Sequence, residues 1–362
     1  MGLPEIIAIV VLAFLGVGGA YYVYMSMAGP RRVEEIEKLI KQNRFKEALF
    51  ELDKVLERDE RNTRAHYMAA YCYHAMNQSP KAVLSLRQAL KIAKYTPDVS
   101  EARVRSLLAR CFEEMGNHTD AKNEYLVLTQ IDSGNYEHFY KAGELFFRGG
   151  VHQKALGFLK KAVGLNRKHA ESLSLLGQCM YHQGLYQEAK EHLVQAVQLK
   201  PGHAVAHYFL GLSLRYLSDF EWAVKEFDKA EKDETIKDKA LLGKGMALID
   251  QEAYPRAIME LERGIKVAKP GSETWINMHY LLAIAAERSR DLGTAIQHWE
   301  IIEKMKPGYR DVKEKLKQYA EFRTDDSIKD FMIASSGQFE EKARGMLEGM
   351  GYQISTFNLR SD

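Results

Sequence analysis

The residues of this chain best equipped for chemistry are its cysteines, its histidines and a few paired carboxylates. Three Cys and 12 His are spread through 362 residues. His203-x-x-x-His207 and Cys179-x-x-His182 have the spacing that sets two ligands on one face of a helix, as a zinc site needs, although no His-Glu-x-x-His accompanies them. Asp325-Asp326 and Glu340-Glu341 are acid pairs with no recognisable partner that would make them catalytic. No G-x-x-x-x-G-K-[ST], G-x-S-x-G or G-x-G-x-x-G occurs, so phosphate-loop, nucleophile-elbow and dinucleotide signatures are missing.

What those residues do depends on the elements that carry them, and from residue 31 onward the chain repeats. A small residue recurs at Ala48, Ala82, Ala121, Ala155, Ala189, Ala223, Ala257 and Ala295, at intervals of 34, 39, 34, 34, 34, 34 and 38 residues. Four residues after each stands a large side chain: Leu52, Leu86, Tyr125, Leu159, Leu193, Phe227, Leu261 and Trp299. Twelve before stand Ala70, Ala109, Gly143, Gly177, Gly211, Gly245 and Ala283, with Ile36 in the first repeat. These spacings set the residues on the facing stripes of two antiparallel helices. Gly116, Gly150 and Gly184 fall between the two helices, where a left-handed residue turns the chain, and Pro201 and Pro307 stop the second helix. The two long intervals place insertions near Ala93–Val99 and Ala268–Ser272.

Within this frame the cysteines and histidines lose their chemistry. Cys72, Cys111 and Cys179 share a position filled elsewhere by Ser213, Ala247 and Ala285, which marks a packing site for a small side chain. His66, His207 and His279 share a position filled elsewhere by Phe139, Leu173 and Leu241. No catalytic centre, metal site or cofactor is expected. The balance of 51 Lys+Arg against 49 Asp+Glu gives a net charge of +2, too little for a basic field that would hold nucleic acid.

The N-terminal segment differs from the rest. Residues 6–27 carry no charge, enough as a helix for roughly 33 Å of hydrocarbon, and no basic residue precedes them as a cleaved signal would require. A transmembrane anchor over residues 1–30 is expected. Arg31 and Arg32 follow it, so the positive-inside rule places the remainder in the cytoplasm.

The small–aromatic–small–proline pattern resembles the tetratricopeptide repeat family, in about eight units over residues 29–308 and most closely at 177–201. The resemblance implies an all-α, right-handed α-solenoid whose first helices line a concave groove for protein or peptide partners. Carried over position by position, it places Tyr67, Tyr71, His74, Tyr140, Phe147, Tyr181, Tyr208, Arg215 and Tyr216 in that groove, with Arg110 and Arg148 between them. Leu242, Met246, Ile249, Tyr280 and Ile284 continue it. Tyr and Arg dominate binding hot spots, which suits a groove of this composition. The Lys/Asn arrangement by which chaperone-binding members clamp a C-terminal carboxylate is not evident.

After the repeats a charged segment, 309–324, is expected to cap the array, followed by an appendage over 325–362. In the appendage, Gln338–Met350 reads as a helix with Phe339, Ala343, Met346, Leu347 and Met350 on one face, and Tyr352–Leu359 as a strand expected to dock with it on the last repeats. The unit resembles the opening of Mrr-type restriction-endonuclease-like domains over about twenty residues, without the later acid and Glu/Gln-x-Lys of a nuclease centre. The anchor-then-repeats layout, including AYYVYMSMAGPRR, resembles the bacterial lipopolysaccharide assembly protein B family, lacking that family's C-terminal cysteine-rich metal module. Together these imply a non-enzymatic scaffold on the bacterial inner membrane, serving assembly of a membrane or envelope complex. The alternatives are a periplasmic scaffold, similar in layout to flagellar-motor collar proteins, and a degenerate nuclease-like protein. The sequence leaves the oligomeric state open.

Overall fold

The structure is a computed structural model that describes residues 33–320 and 336–350. The expected anchor, residues 6–27, and the expected strand, 352–359, lie outside the described residues. Among the described residues no helix is long and apolar enough to cross a membrane. Regular structure among them is helical throughout, apart from one two-residue bridge between Thr96 and Val99.

The chain divides after Leu165 into two compact units. Unit 1 holds four helical hairpins: α1 (residues 33–41) with α2 (Phe45–Arg58), α3 (Thr63–Ala75) with α4 (Ser79–Ile92), α5 (Glu101–Glu114) with α6 (His118–Ile131), and α7 (Tyr136–Arg148) with α8 (His152–Leu165). Unit 2 holds four more: α9 (Ala170–His182) with α10 (Tyr186–Leu199), α11 (Ala204–Tyr216) with α12 (Phe220–Ala230), α13 (Lys237–Asp250) with α14 (Tyr254–Val267), and α15 (Glu273–Arg288) with α16 (Leu292–Met305). Two shorter pieces follow, α17 (Val312–Gln318) and α18 (Ser336–Gly349).

One packing rule builds the hairpins after the first, where Ile36 takes the small residue's place. The small residue twelve before the anchor lets the large residue four after it lie against the partner helix. A Cβ added at Gly143 would come within 2.7 Å of Leu159, at Gly177 within 2.5 Å of Leu193, at Gly211 within 2.8 Å of Phe227 and at Gly245 within 2.5 Å of Leu261. Those four large residues, with Leu86 and Trp299, are 0% exposed. Side chains of this size buried in this way each stabilise the fold by about 1.5–3 kcal/mol.

The turn between the two helices is equally regular. The residue five before each anchor has positive φ in all eight hairpins: Gly116, Gly150 and Gly184 at +72° to +76°, and Asn43, Asn77, Ser218, Glu252 and Arg290 at +57° to +65°. Side-chain caps start many first helices. Asn62, Ser100, Asn135 and Ser272 accept from the backbone N–H groups of Ala65, Arg103, Glu137 and Trp275.

The insertion at 93–99 is the expected loop, mostly exposed and pinned at its end by Val99. Ala93 turns it with φ +55°, Thr96 and Val99 exchange backbone hydrogen bonds at 3.2 and 3.0 Å, and Val99, 3% exposed, joins the core of α3–α6. After α16 the helix is α17, shorter than the 309–324 expected. It is not solvated all round: Val312 and Leu316 are buried in one cluster with Trp299 and Ile302. On α18, Ala343 and Leu347 are half-buried, whereas Met346 and Met350 remain 57% and 73% exposed.

Candidate functional site

In unit 1 the first-helix face is built by α3, α5 and α7. Tyr67, Tyr71 and His74 lie along one side of α3; Tyr71 is 44% exposed and Tyr67 half-buried. Burial raises the pKa of the Tyr67 hydroxyl, and the charges of Arg103 and Arg110 oppose that rise. His74 Nδ1 meets Glu114 Oε2 of α5 at 3.0 Å, and Ser79 Oγ donates to the same oxygen at 2.6 Å. Arg110 is exposed on α5. On α7, Tyr140 is half-buried beside the Lys141 ammonium, and the half-buried Phe147 packs edge-on against His152 at 5.0 Å.

One ion pair, Lys141 with Glu113, joins α7 to α5. Lys141 Nζ bridges Glu144 at 3.1 Å and Glu113 at 3.3 Å, Tyr125 Oη donates to Glu113 at 2.8 Å, and Arg148 donates to Glu144 at 2.6 Å. Burial works against the Lys141 charge, but the two carboxylates outweigh it and raise its pKa. Arg148 and His74 are therefore engaged within the chain.

Unit 1 also opens a cavity of about 370 Å³ where α1, α3, α5 and the 93–99 insertion meet. Arg64 spans it, donating to Glu37 at 2.7 Å and pairing with Asp98 at 2.9 Å, while Arg103 donates to the Asp98 carbonyl at 2.6 Å. A hydrogen bond from Thr96, then the backbone and the two arginines, hold the Asp98 carboxyl below its ordinary range.

In unit 2 the rings of neighbouring first helices touch one another. Tyr181 of α9 packs edge-on against Phe209 at 5.5 Å and Tyr216 at 5.8 Å, both on α11, and tilts against Tyr186 at 5.6 Å. Tyr186 and Tyr216 stack with centroids 4.2 Å apart and planes at 4°. Tyr216 is nevertheless 52% exposed. Burial, with the neighbouring Tyr216 and Tyr208, pushes the Tyr181 hydroxyl well up from its ordinary pKa. Tyr208 is half-buried against Phe209 and the core ring of Phe227. Arg215 donates to Asp250 of α13 at 2.5 Å, so it too is paired. Leu242, Met246, Ile249 and Ile284 are half-buried. Tyr280 stands apart from the cluster, donating to Asp311 at 2.8 Å beneath the Arg310 guanidinium.

The repeat geometry agrees with family models described as tetratricopeptide repeat, which match residues 39–102 and 205–273, and with one described as anaphase-promoting complex, cyclosome, subunit 3, which matches 123–196. The chain is a tetratricopeptide repeat protein. A solved structure similar to it is the APC/C hetero-tetramer Cut9–Hcn1, at 18% identity and a TM-score of 0.50, covering 79% of this chain and 55% of that one. Another is YrrB, described as a TPR protein with an unusual peptide-binding site, at 23% identity and a TM-score of 0.44, covering 49% of this chain and 90% of that one. The DnaJ homolog subfamily C member 3 of Gallus gallus is 23% identical over 162 residues, 41% of this chain and 31% of that protein, so the match spans about a third of the relative's length.

In this tetratricopeptide chain His66, His207 and His279 serve packing. His66 Nε2 meets the Glu60 carbonyl at 2.9 Å and His207 Nε2 the Pro201 carbonyl at 2.8 Å, each tying its helix to the preceding turn. His207 also faces the buried Glu226 at 2.5 Å. His279 and His298 share a proton between their Nδ1 atoms at 2.7 Å, and burial pushes both pKa values down to about 4. Cys72, Cys111 and Cys179 are free and buried, their thiols pushed up to about 11, 11 and 12 by burial. Among the described residues no group of three or more His, Cys, Asp or Glu is gathered to hold a metal ion.

Two sets of residues fall outside the first-helix positions. Tyr186 lies on a second helix, outside the positions carried over, and Phe209 sits next to one of them. Arg64, Asp98 and Arg103 shape the unit 1 cavity, and the 39-residue interval between Ala82 and Ala121 was the one sequence trace of the loop that walls it.

Proposed function

We propose that this chain is a non-catalytic scaffold, held in a bacterial cytoplasmic membrane by residues 6–27, whose first-helix faces recruit protein partners into a membrane or envelope assembly. The observation that carries the reading is the pair of exposed tyrosines, Tyr71 and Tyr216, each presented on a rigid first helix and the second braced by Tyr181 and Tyr186. A large ring held in place loses little freedom on binding, which is why such rings act as anchors. The anchor and its orientation rest on the uncharged stretch and on Arg31 and Arg32, which favour repeats on the cytoplasmic side.

Membrane fractionation and a topology reporter fused after Asp362 test the anchor. Recovery in the membrane with a cytoplasm-only signal is expected, and a periplasm-only signal would replace this orientation with that of a periplasmic scaffold. Affinity capture with the full chain tests recruitment. Tyr208→Ala plus Tyr216→Ala is expected to lose partners that the unaltered chain recovers, and equal recovery would contradict it.

A further inference from the structure

The second helices of unit 1 carry positive charge that the fold does not use. Lys81, Arg87 and Lys91 are exposed on α4, as are Lys154, Lys160 and Lys161 on α8, and neither helix contains an acidic residue. None of the six is ion-paired with a carboxylate among the described residues. Lys81 and Lys154 each stand one residue before the small residue of their repeat, Ala82 or Ala155, and Arg87 and Lys160 five after it. The two helices therefore turn the same side outward. Rings beneath three of the cations leave the charge in place: Lys81 lies over Tyr73 at 5.6 Å, Arg87 over Phe112 at 5.8 Å and Lys154 over Phe146 at 5.8 Å. On α6, which falls between them in the chain, Lys122 offsets Asp120, and Glu124 is spent on Arg105. The excess is local. α2 holds four carboxylates against three cations, and α10 with α12 of unit 2 five against three. Amid the α4 cations Leu84 is 65% exposed, three residues from both Lys81 and Arg87.

Resting on the anchor reading above, we infer that this second-helix face lies on the anionic headgroups of the bilayer that holds residues 6–27. Five residues separate that uncharged stretch from α1 at residue 33, a length of chain that reaches at most about 18 Å. Unit 1 is thereby tethered beside the membrane surface, on the side that Arg31 and Arg32 favour. Cations spread along two helices match the distributed negative charge of a lipid surface, and their long stems let the charged heads reach it. Leu84 decides for lipid over nucleic acid. An exposed apolar side chain among the cations gains from the boundary between headgroups and acyl chains, and gains nothing from a phosphodiester backbone. The tether decides for lipid over an acidic protein, because the bilayer is held next to the face whereas a protein must first be recruited. With the second helices of unit 1 on the membrane, Tyr71 on the first helix α3 stays open to partners.

The test is fluorescence quenching with the purified full chain, labelled at one introduced cysteine, Leu84→Cys. Cys72, Cys111 and Cys179 are buried and their thiols stay protonated, so the label goes to the exposed position. The chain is placed in bilayer discs of phosphatidylcholine alone or mixed with phosphatidylglycerol, in both of which some acyl chains carry a quencher close to the headgroup. The label at Leu84→Cys is expected to be quenched on phosphatidylglycerol discs, with the quenching lost on phosphatidylcholine discs and at high salt. A label at Tyr71→Cys is expected to stay bright on both. Lys154→Glu plus Lys160→Glu plus Lys161→Glu, on a helix that does not bear the label, should also abolish the quenching at Leu84→Cys. Circular dichroism checks that the helices persist in that variant. No quenching at Leu84→Cys, equal quenching in the two lipids, quenching as strong at Tyr71→Cys, or a response untouched by the three reversals would each overturn the inference. So would release of the Leu84→Cys label from anionic discs by a DNA duplex, which would assign the face to nucleic acid. The anchor reading fails separately: it falls if phosphatidylcholine discs do not retain the chain. Phosphatidylglycerol vesicles added to the chain then decide the face by the same quenching.

Discussion

In unit 1, α5 and α7 meet across Glu113, Lys141 and Glu144, whereas in unit 2, α9 and α11 meet across Tyr181, Phe209 and Tyr216. Both pairs are first helices of consecutive hairpins, and both stand on the same internal packing of a small residue against a large one. The difference shows which positions the fold leaves free. Positions that face the partner helix are fixed by volume, so Gly143 with Leu159 and Gly245 with Leu261 perform the same task in different units. Positions on the first-helix face are not needed to close the hairpin. Neighbouring first helices are joined there by an ion pair at Glu113 and Lys141 in one unit and by rings at Tyr181, Phe209 and Tyr216 in the other, while the packing inside the hairpins stays the same.

If the internal rule is common to both units, breaking it should hurt both. Leu159→Ala in unit 1 and Trp299→Ala in unit 2 empty fully buried sites and are expected to cost about 2–5 and about 3–5 kcal/mol respectively, read from urea unfolding. A large loss in one unit and almost none in the other would mean that the units are not built alike.

Acid should separate the units. The pair of buried His279 and half-buried His298 has folded pKa values of about 4, below the ordinary value of 6.5. Between those values the unfolded chain takes up protons that the folded pair refuses, so stability falls as pH drops from 6.5 towards 4. The slope is about 1.4 kcal/mol per pH unit for each histidine, with no further loss from this pair below that range. His298→Leu should flatten the acid limb in unit 2 unfolding. An unchanged limb would remove the pair from the account.

Filling the small positions is a milder insult. Gly143→Val and Gly245→Val push a side chain against Leu159 and Leu261, and each is expected to cost about 1–3 kcal/mol in thermal unfolding. The smallest effects discriminate the faces themselves. Tyr216→Leu should cost about 0.5–1.5 kcal/mol from lost ring contacts and keep that cost in high salt. Arg148→Ala, at a side chain 57% exposed, should cost under about 1 kcal/mol and lose even that in high salt. The reverse salt behaviour would undo the contrast between the two faces.

The hairpins were legible because a volume rule leaves a trace at every repeat. The turn was only partly so. Glycine marks the left-handed position in three hairpins, but Asn43, Asn77, Ser218, Glu252 and Arg290 adopt it too, and no single residue type reports a conformation imposed by the two helices on either side. The first-helix residues were found by position, while their partners were not. Whether an arginine is free or spent depends on a carboxylate in the next hairpin, as Asp250 is for Arg215, thirty-five residues away. Nor could spacing show that Val99, at the end of the exposed 93–99 loop, is buried, since an interval reports only the loop's length.

Site-specific photo-crosslinking in cells bears most directly on the claim that the first-helix faces do the work. A photoreactive residue is placed in turn at Tyr71 and Tyr216, and at Leu84 and Met259, which are 65% and 62% exposed on second helices. Discrete adducts with other polypeptides are expected from the first two positions and none from the last two. Adducts formed equally from all four, or only from Leu84 and Met259, would contradict that claim.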